Sequence, residues 1–207
     1  MQKTLLFILI FTVYFGYSQS EKDSYDIYSS NINIVIEDWF DKPLKSILIV
    51  KKFKNKYEED FSLINVLAQD SIPIYALDWL VRDSILRKRF IKDNTLKKSI
   101  TELTKNFKNH PTINKELLKL NNVEIKVIKS SKYYSFHKRH KNGWSRIEDI
   151  YETNLVFQLS KIKYTGKYAT FYYSYHCGGL CASANFVIME KIGSEWKLLK
   201  NFQLWVS

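Results

Sequence analysis

The chain has 207 residues, of which 45% are hydrophobic and 15% aromatic, and 32 Lys and Arg against 21 Asp and Glu give it a formal charge of +11. That apolar content excludes an intrinsically disordered chain, and the length is enough to bury a sizeable core. The charge leaves an anionic surface open as a partner, but the basic residues are spread along the whole sequence. The densest runs, Arg87-Lys88-Arg89 and His137-Lys138-Arg139-His140-Lys141, read as solvated faces or loop tips, and no helix-turn-helix, zinc-finger or RNP signature accompanies them.

Residues 1–18 read as a secretory signal peptide. Lys3 supplies the positive start, Leu5 to Phe15 is apolar apart from Thr12, and Gly16-Tyr17-Ser18 offers small residues at a cleavage site before Gln19. The apolar run is shorter than the roughly 20 residues of a membrane span, and no later stretch reaches that length. Removing it takes away one positive charge and leaves a basic chain, expected to form one domain over residues 19–207. Its helical part runs over about 22–120 and its β-rich part over about 121–207.

From Ser24 to Phe40, Tyr25, Tyr28, Ile32, Val35 and Trp39 recur at spacings of three and four, which predicts an amphipathic helix that Asp41-Lys42-Pro43 ends. Ser46 to Phe53 is a β-type run. Tyr57 to Ser71 is ambiguous, with a short helix near Phe61 to Leu67 as one reading. A helix is expected over Ala76 to Ile91. The cleanest stripe follows in Leu96, Ile100, Leu103 and Phe107, with Asn94 or Thr95 as its N-cap. Pro111 and Thr112 open a short helix through Leu118, and Val123 to Ile128 alternates as a strand does. Tyr133 to Gly143 reads as a loop with a turn at Asn142-Gly143. Ser145 to Glu148 fits a capping box at the head of a short helix ending near Tyr151.

The last quarter predicts an antiparallel meander. Four runs rich in Val, Ile, Phe, Tyr and Trp are separated by breaks at Thr165-Gly166, at Cys177 to Cys181 and at Gly193-Ser194. Gly193-Ser194 suits a type II′ hairpin turn, with Glu190 opposite Lys197, Met189 opposite Leu198 and Ile188 opposite Leu199. Thr165-Gly166 is a weaker turn signal, since Thr is a poor residue at positive φ. Phe171, Tyr173 and Tyr175 share one strand face, Tyr172 and His176 the other. One face packs under helices, and the other is a second packed layer or a ligand platform. Trp196 and Trp205 are expected to be largely buried. Their separation of nine puts them on opposite faces unless a bulge intervenes.

On Trp144, Leu159-Ser160-Lys161-Ile162, Tyr175 to Cys181, and Gly193-Ser194-Glu195-Trp196-Lys197 with Leu204-Trp205-Val206-Ser207, the chain resembles a group of uncharacterised exported proteins of Bacteroidetes-type bacteria. The resemblance covers the last third well and the helical middle loosely. It implies secretion and a shared fold, and no catalytic residues.

Cys177 and Cys181 admit three readings. A structural disulfide leads, because export places the thiols in an oxidising compartment and the Gly178-Gly179 pair lets the backbone reverse tightly. A redox-active pair lacks the C-x-x-C spacing and its βαβ context. A soft-metal site using His176, Cys177 and Cys181 needs further ligands. His137 and His140 supply them only if their segment reaches the hairpin tip. Glu58-Glu59-Asp60 reads as a helix start or a solvated face. Ser160, Ser174 and Ser183 lack a nucleophile elbow, and no phosphate loop or H-E-x-x-H motif is present.

The expected fold is α+β: N-terminal helices with an early strand, then a C-terminal antiparallel meander covered on one face by helices. The leading functional reading is a non-enzymatic exported domain, structural or ligand-binding, with no cofactor. Its rival is an enzyme using the Cys177/Cys181 tip in thiol–disulfide or metal chemistry. Titratable side chains around that tip inside a concave pocket favour the rival, and a tip isolated in solvent favours the first.

Overall fold

A computed structural model of the chain describes residues 21–38, 40, 43–51, 84–106, 111–139 and 143–207. The expected signal peptide, the segment 57–71 and the first half of the helix expected over 76–91 lie outside these residues, as do Trp39, Phe107 and His140. The fold is α+β, with helices and a mixed seven-stranded sheet. The described residues form two compact units, one within residues 1–44 and 114–124, the other within 45–113 and 125–207.

In the first unit, helix α1 covers residues 21–38, and the predicted stripe is buried at Tyr25, Tyr28, Ile32 and Val35. The segment from Asn114 is tied to this helix by polar contacts. Asn114 N–H donates to Tyr25 Oη (2.7 Å), Lys119 N–H to Ser29 Oγ (2.9 Å), and Lys119 Nζ meets Asp26 Oδ1 at 2.9 Å. The helix expected up to Leu118 is a single 3-10 turn, Lys115–Leu117, because Asn114 Oδ1 accepts from Glu116 N–H and offers the backbone a local alternative to the α-helix.

The second unit is built on the sheet, in the order β2-β1-β3-β5-β6-β7, with β4 also on β5. The strands are β1 (Ser46–Lys51), β2 (Glu124–Lys129), β3 (Val156–Leu159), β4 (Lys163–Thr165), β5 (Tyr168–His176), β6 (Ala182–Ile192) and β7 (Glu195–Val206). The helices are α2 (Ser84–Lys92), α3 (Asn94–Asn106), α4 (Ser130–Arg139) and α5 (Gly143–Tyr151). Strands β5, β6 and β7 form the predicted antiparallel meander, whereas β1 joins β3 in parallel. The first expected run of the meander is two strands. Ser160 N–H donates to Tyr172 O and Ser160 Oγ accepts from Tyr172 N–H, which breaks the run between β3 and β4 along the same edge of β5.

One face of the sheet carries both helix pairs. Leu86 and Phe90 of α2 and Leu96 and Ile100 of α3 pack on Tyr168, Tyr172, Phe186, Ile188 and Phe202. Tyr133 and Phe136 of α4 and Ile147 of α5 pack on Leu48, Val50, Ile128 and Val156. The opposite face, with Phe171, Tyr173, Tyr175, Val187 and Met189, is buried as well, so the aromatic row is not an open platform. The junction of α2 and α3 is fixed to the first face by a polar cluster. Tyr168 Oη donates to Asp93 Oδ2 (2.6 Å), Arg89 meets both Tyr168 and Glu190, and Lys167 Nζ lies 2.8 Å from Glu190 Oε1.

Several local expectations are corrected. The segment read as a loop from Tyr133 is helix α4, since Tyr133 and Phe136 are a one-turn apolar pair that the sheet buries. Helix α5 starts at Gly143, so Ser145 lies in its first turn rather than ahead of it. The N-cap of α3 is Asp93, whose Oδ1 accepts from Thr95 N–H (3.0 Å) and Leu96 N–H (3.1 Å). The first hairpin turns at Gly166-Lys167, with φ of 58° at Gly166 and Thr165 still paired to Tyr168.

The second hairpin turns at Gly193-Ser194 as expected. Gly193 has φ of 63° and Ser194 is not at positive φ, which excludes type I′. Glu190 and Met189 have their predicted partners, Lys197 and Leu198, but Ile188 faces Lys200, because Leu199 is an extra residue on β7. A second irregularity leaves Leu204 extra. Both shifts add a residue to β7 and together restore the alternation of faces, so Trp196 pairs with Lys191 and Trp205 with Ala184, on opposite faces. Both are partly exposed rather than fully buried, because β7 is an edge strand, and Trp205 packs against the core beneath it. Phe202 is the buried aromatic there, edge-on to Phe90 and stacked on Phe186.

Candidate functional site

Strand β5 ends at His176, which pairs with Ala182 at the start of β6, and residues 177–181 join them. Cys177 and Cys181 are disulfide-bonded, with Cα atoms 5.0 Å apart, and Cys177 N–H donates to Cys181 O (2.7 Å). Gly178 takes φ of 125°, a backbone state that side chains avoid, so the tight reversal needs glycine there. Leu180 is 92% exposed at the tip.

Because Val156, His176, Ala182 and Ala184 lie on the helix-covered face, Trp205, opposite Ala184, lies there too. Helix α5 brings Trp144 to the same place. The imidazole of His176 contacts both indoles, stacked with Trp144 at 5.9 Å and tilted against Trp205 at 5.9 Å between ring centroids. His137, on α4, meets the Trp144 ring at 5.0 Å and Tyr133 at 5.0 Å. A cleft of about 390 Å³ opens at this point, lined by Trp144, His176, Ala182, Trp205 and Ser207 with both tip glycines, Gly178 and Gly179. The size falls within the range of small-molecule sites, roughly 300–1,000 Å³.

The electrostatics are those of a neutral site. Burial, with the nearby His137 adding to it, pushes the His176 imidazole down to about 4, so it is uncharged at neutral pH. Burial likewise lowers His137. No lining side chain is Asp, Glu, Lys or Arg, although the chain holds 32 Lys and Arg. The lining side chains are therefore the rings of Trp144, Trp205 and His176, the Ala182 methyl and the Ser207 hydroxyl, beside the two glycines.

The sequence-predicted residues divide clearly. His176 and the Cys177–Cys181 pair stand together at the tip, and His137 reaches the same Trp144 ring as His176. With both thiols in the bond, the sulfur ligands required by a metal reading are taken. Among the described residues no group of three or more His, Cys, Asp or Glu could hold a metal ion. Ser160 and Ser183 are backbone and side-chain partners inside the sheet, and Ser174 is buried there. Trp144 and Trp205 are the site residues that pattern reasoning missed. Trp205 reaches the cleft through the pairing of β7 on β6, and Trp144 through the placement of α5 beside β5.

No family model, curated protein or solved structure matches the chain.

Proposed function

We propose that the protein is an exported, non-enzymatic domain that binds a small ligand in the cleft between Trp144 and Trp205. The observation that carries this reading is a concave aromatic site whose rim is a disulfide-closed loop, Gly178 and Gly179 lining it directly. Two aromatic walls supply apolar burial at low conformational cost, and the covalent loop holds the rim in shape before the ligand arrives. Export is supported by the apolar segment Leu5 to Phe15 and by the resemblance to exported proteins of Bacteroidetes-type bacteria. The disulfide is compatible with an oxidising compartment. Among the described residues no helix is long and apolar enough to cross a membrane.

A second reading is thiol–disulfide chemistry, favoured by one observation: the loop that the disulfide closes itself lines the cleft, through Gly178 and Gly179. The titratable side chains nearby are His176 and His137, both pushed toward the neutral form, and neither is hydrogen-bonded to a sulfur in a way that would activate a thiolate.

One pair of assays separates the two. A thermal-shift screen of small solutes should find compounds that stabilise the wild type and not the Trp144→Ala or Trp205→Ala protein, while an insulin-reduction assay shows no turnover. Turnover abolished by Cys177→Ser, with no cleft-dependent stabilisation by any solute, would replace binding by redox catalysis. N-terminal sequencing of the exported protein should start at Gln19, and Met1 retained in a membrane fraction would reject export by signal cleavage.

A further inference from the structure

We infer that the ligand of the cleft is a neutral saccharide, one pyranose ring lying against the indole of Trp144 or Trp205 with its hydroxyls at the edge formed by His176, Ser207 and the Gly178-Gly179 backbone. This rests on the cleft being the binding site and adds the chemical class of what it binds.

Four observations select that class. Two partly exposed indoles line the cleft and offer apolar ring surface to a flat partner of about one ring. None of the lining side chains is formally charged, in a chain whose formal charge is +11, so no side chain there is built to neutralise a phosphate or a carboxylate. The imidazole of His176 is neutral and offers one N–H donor and one nitrogen acceptor, the pair of roles a hydroxyl can answer in both directions. A Cβ built on Gly178 or Gly179 would meet nothing within 4 Å, so the ligand edge has open access to peptide groups at the rim. A ligand matching all four has an apolar face, no charge and an edge rich in groups that both donate and accept. A pyranose has that combination. An aromatic base or indole has the face without the ring of hydroxyls, and a quaternary ammonium suits the aromatic rings but leaves the hydrogen-bonding edge unanswered.

The test uses the whole exported protein and intrinsic tryptophan fluorescence. Cello-, chito- and malto-pentaose are the neutral probes, with a heparin oligosaccharide, choline and indole as charged and aromatic comparisons. At least one neutral oligosaccharide should give a saturable change. Trp144→Ala and Trp205→Ala should weaken that binding tenfold or more, and Trp196→Ala, on the opposite sheet face, should not. Should a Trp→Ala variant fail to fold, Gly179→Leu serves in its place, since its side chain projects into open space at the rim and should block the cleft without disturbing the core. Saturable, cleft-dependent binding of choline, indole or the heparin oligosaccharide, without any neutral saccharide, overturns the ligand class and leaves the cleft as a binding site. Saccharide binding unchanged in Trp144→Ala, Trp205→Ala and Gly179→Leu overturns both the class and the site.

Discussion

Gly143 looks like a position where alanine should help, since it opens a helix and glycine there costs about 0.5–1 kcal/mol. The neighbourhood reverses the sign. An added Cβ would stand 3.0 Å from the backbone oxygen of Phe136 and 3.0 Å from His137 Nδ1, and the backbone cannot step aside as a flexible side chain would. Overpacking of this kind costs roughly 1–3 kcal/mol, so Gly143→Ala should destabilise by about 1–2 kcal/mol in a denaturant titration. A stabilised variant would show that α4 and α5 do not approach this closely. His176 gives a second prediction. Its imidazole titrates at about 4 in the folded chain against 6.5 when unfolded, so the unfolded chain takes up the proton first. Stability is therefore complete above pH 6.5 and is lost as pH falls toward 4, by up to about 3 kcal/mol. His137 is shifted in the same direction. Burial alone would raise the carboxyls of Asp93 and Glu190. The hydrogen bonds from Tyr168 to Asp93 and from Arg89 and Lys167 to Glu190 outweigh it and hold them below 3.8 and 4.5, so their share is lost only at lower pH. His176→Gln should flatten the stability profile between pH 6.5 and 4.5, and an unchanged slope there would reject a buried neutral imidazole.

Strand β7 shows how an edge strand divides its aromatic residues. Phe202 is buried between Phe90 and Phe186, so Phe202→Ala should cost roughly 3–5 kcal/mol. Trp205 is larger but only half-buried at the cleft, and Trp205→Ala should cost less than Phe202→Ala in the same titration. The reverse order would place Trp205 in the core and close the cleft. The strand also carries its own protection against pairing with another chain: Lys197 and Lys200 lie along it, and two register shifts interrupt its ladder. At the other end of the β5–β6 hairpin the disulfide closes a loop so short that it removes little freedom from the unfolded chain, at most about 2 kcal/mol. The Cys177→Ser/Cys181→Ser protein should therefore fold, with faster hydrogen exchange confined to Tyr175 to Ala184 and the Gly193-Ser194 hairpin unchanged. Global unfolding of this variant would mean that the bond organises far more than the rim.

Across the whole molecule, what the sequence made legible is what local chemistry decides. The stripe of α1, the alternation of β2, the glycine turn at Gly193 and the close cysteine pair each depend on residues within one or two turns of chain. What stayed hidden depends on partners far away. Helix α4 has an apolar pair that reads as helix only once β1 and β3 are there to bury it. Asp93 acts as a cap and also as the acceptor for Tyr168, 75 positions on. The parallel β1–β3 pairing leaves no short-range trace, since a strand buried on both faces reads as a continuous apolar run. The cleft is the extreme case, because its walls come from α5 and β7 and meet only through the registers of β5 on β6 and of β6 on β7. That these walls form one binding site is tested most directly by NMR of the indole N–H and imidazole signals. During titration with the best-binding oligosaccharide, the signals of Trp144, Trp205 and His176 should move together with one dissociation constant while that of Trp196 stays in place. Movement confined to Trp196, or no movement of the Trp144, Trp205 and His176 signals at saturation, would contradict it.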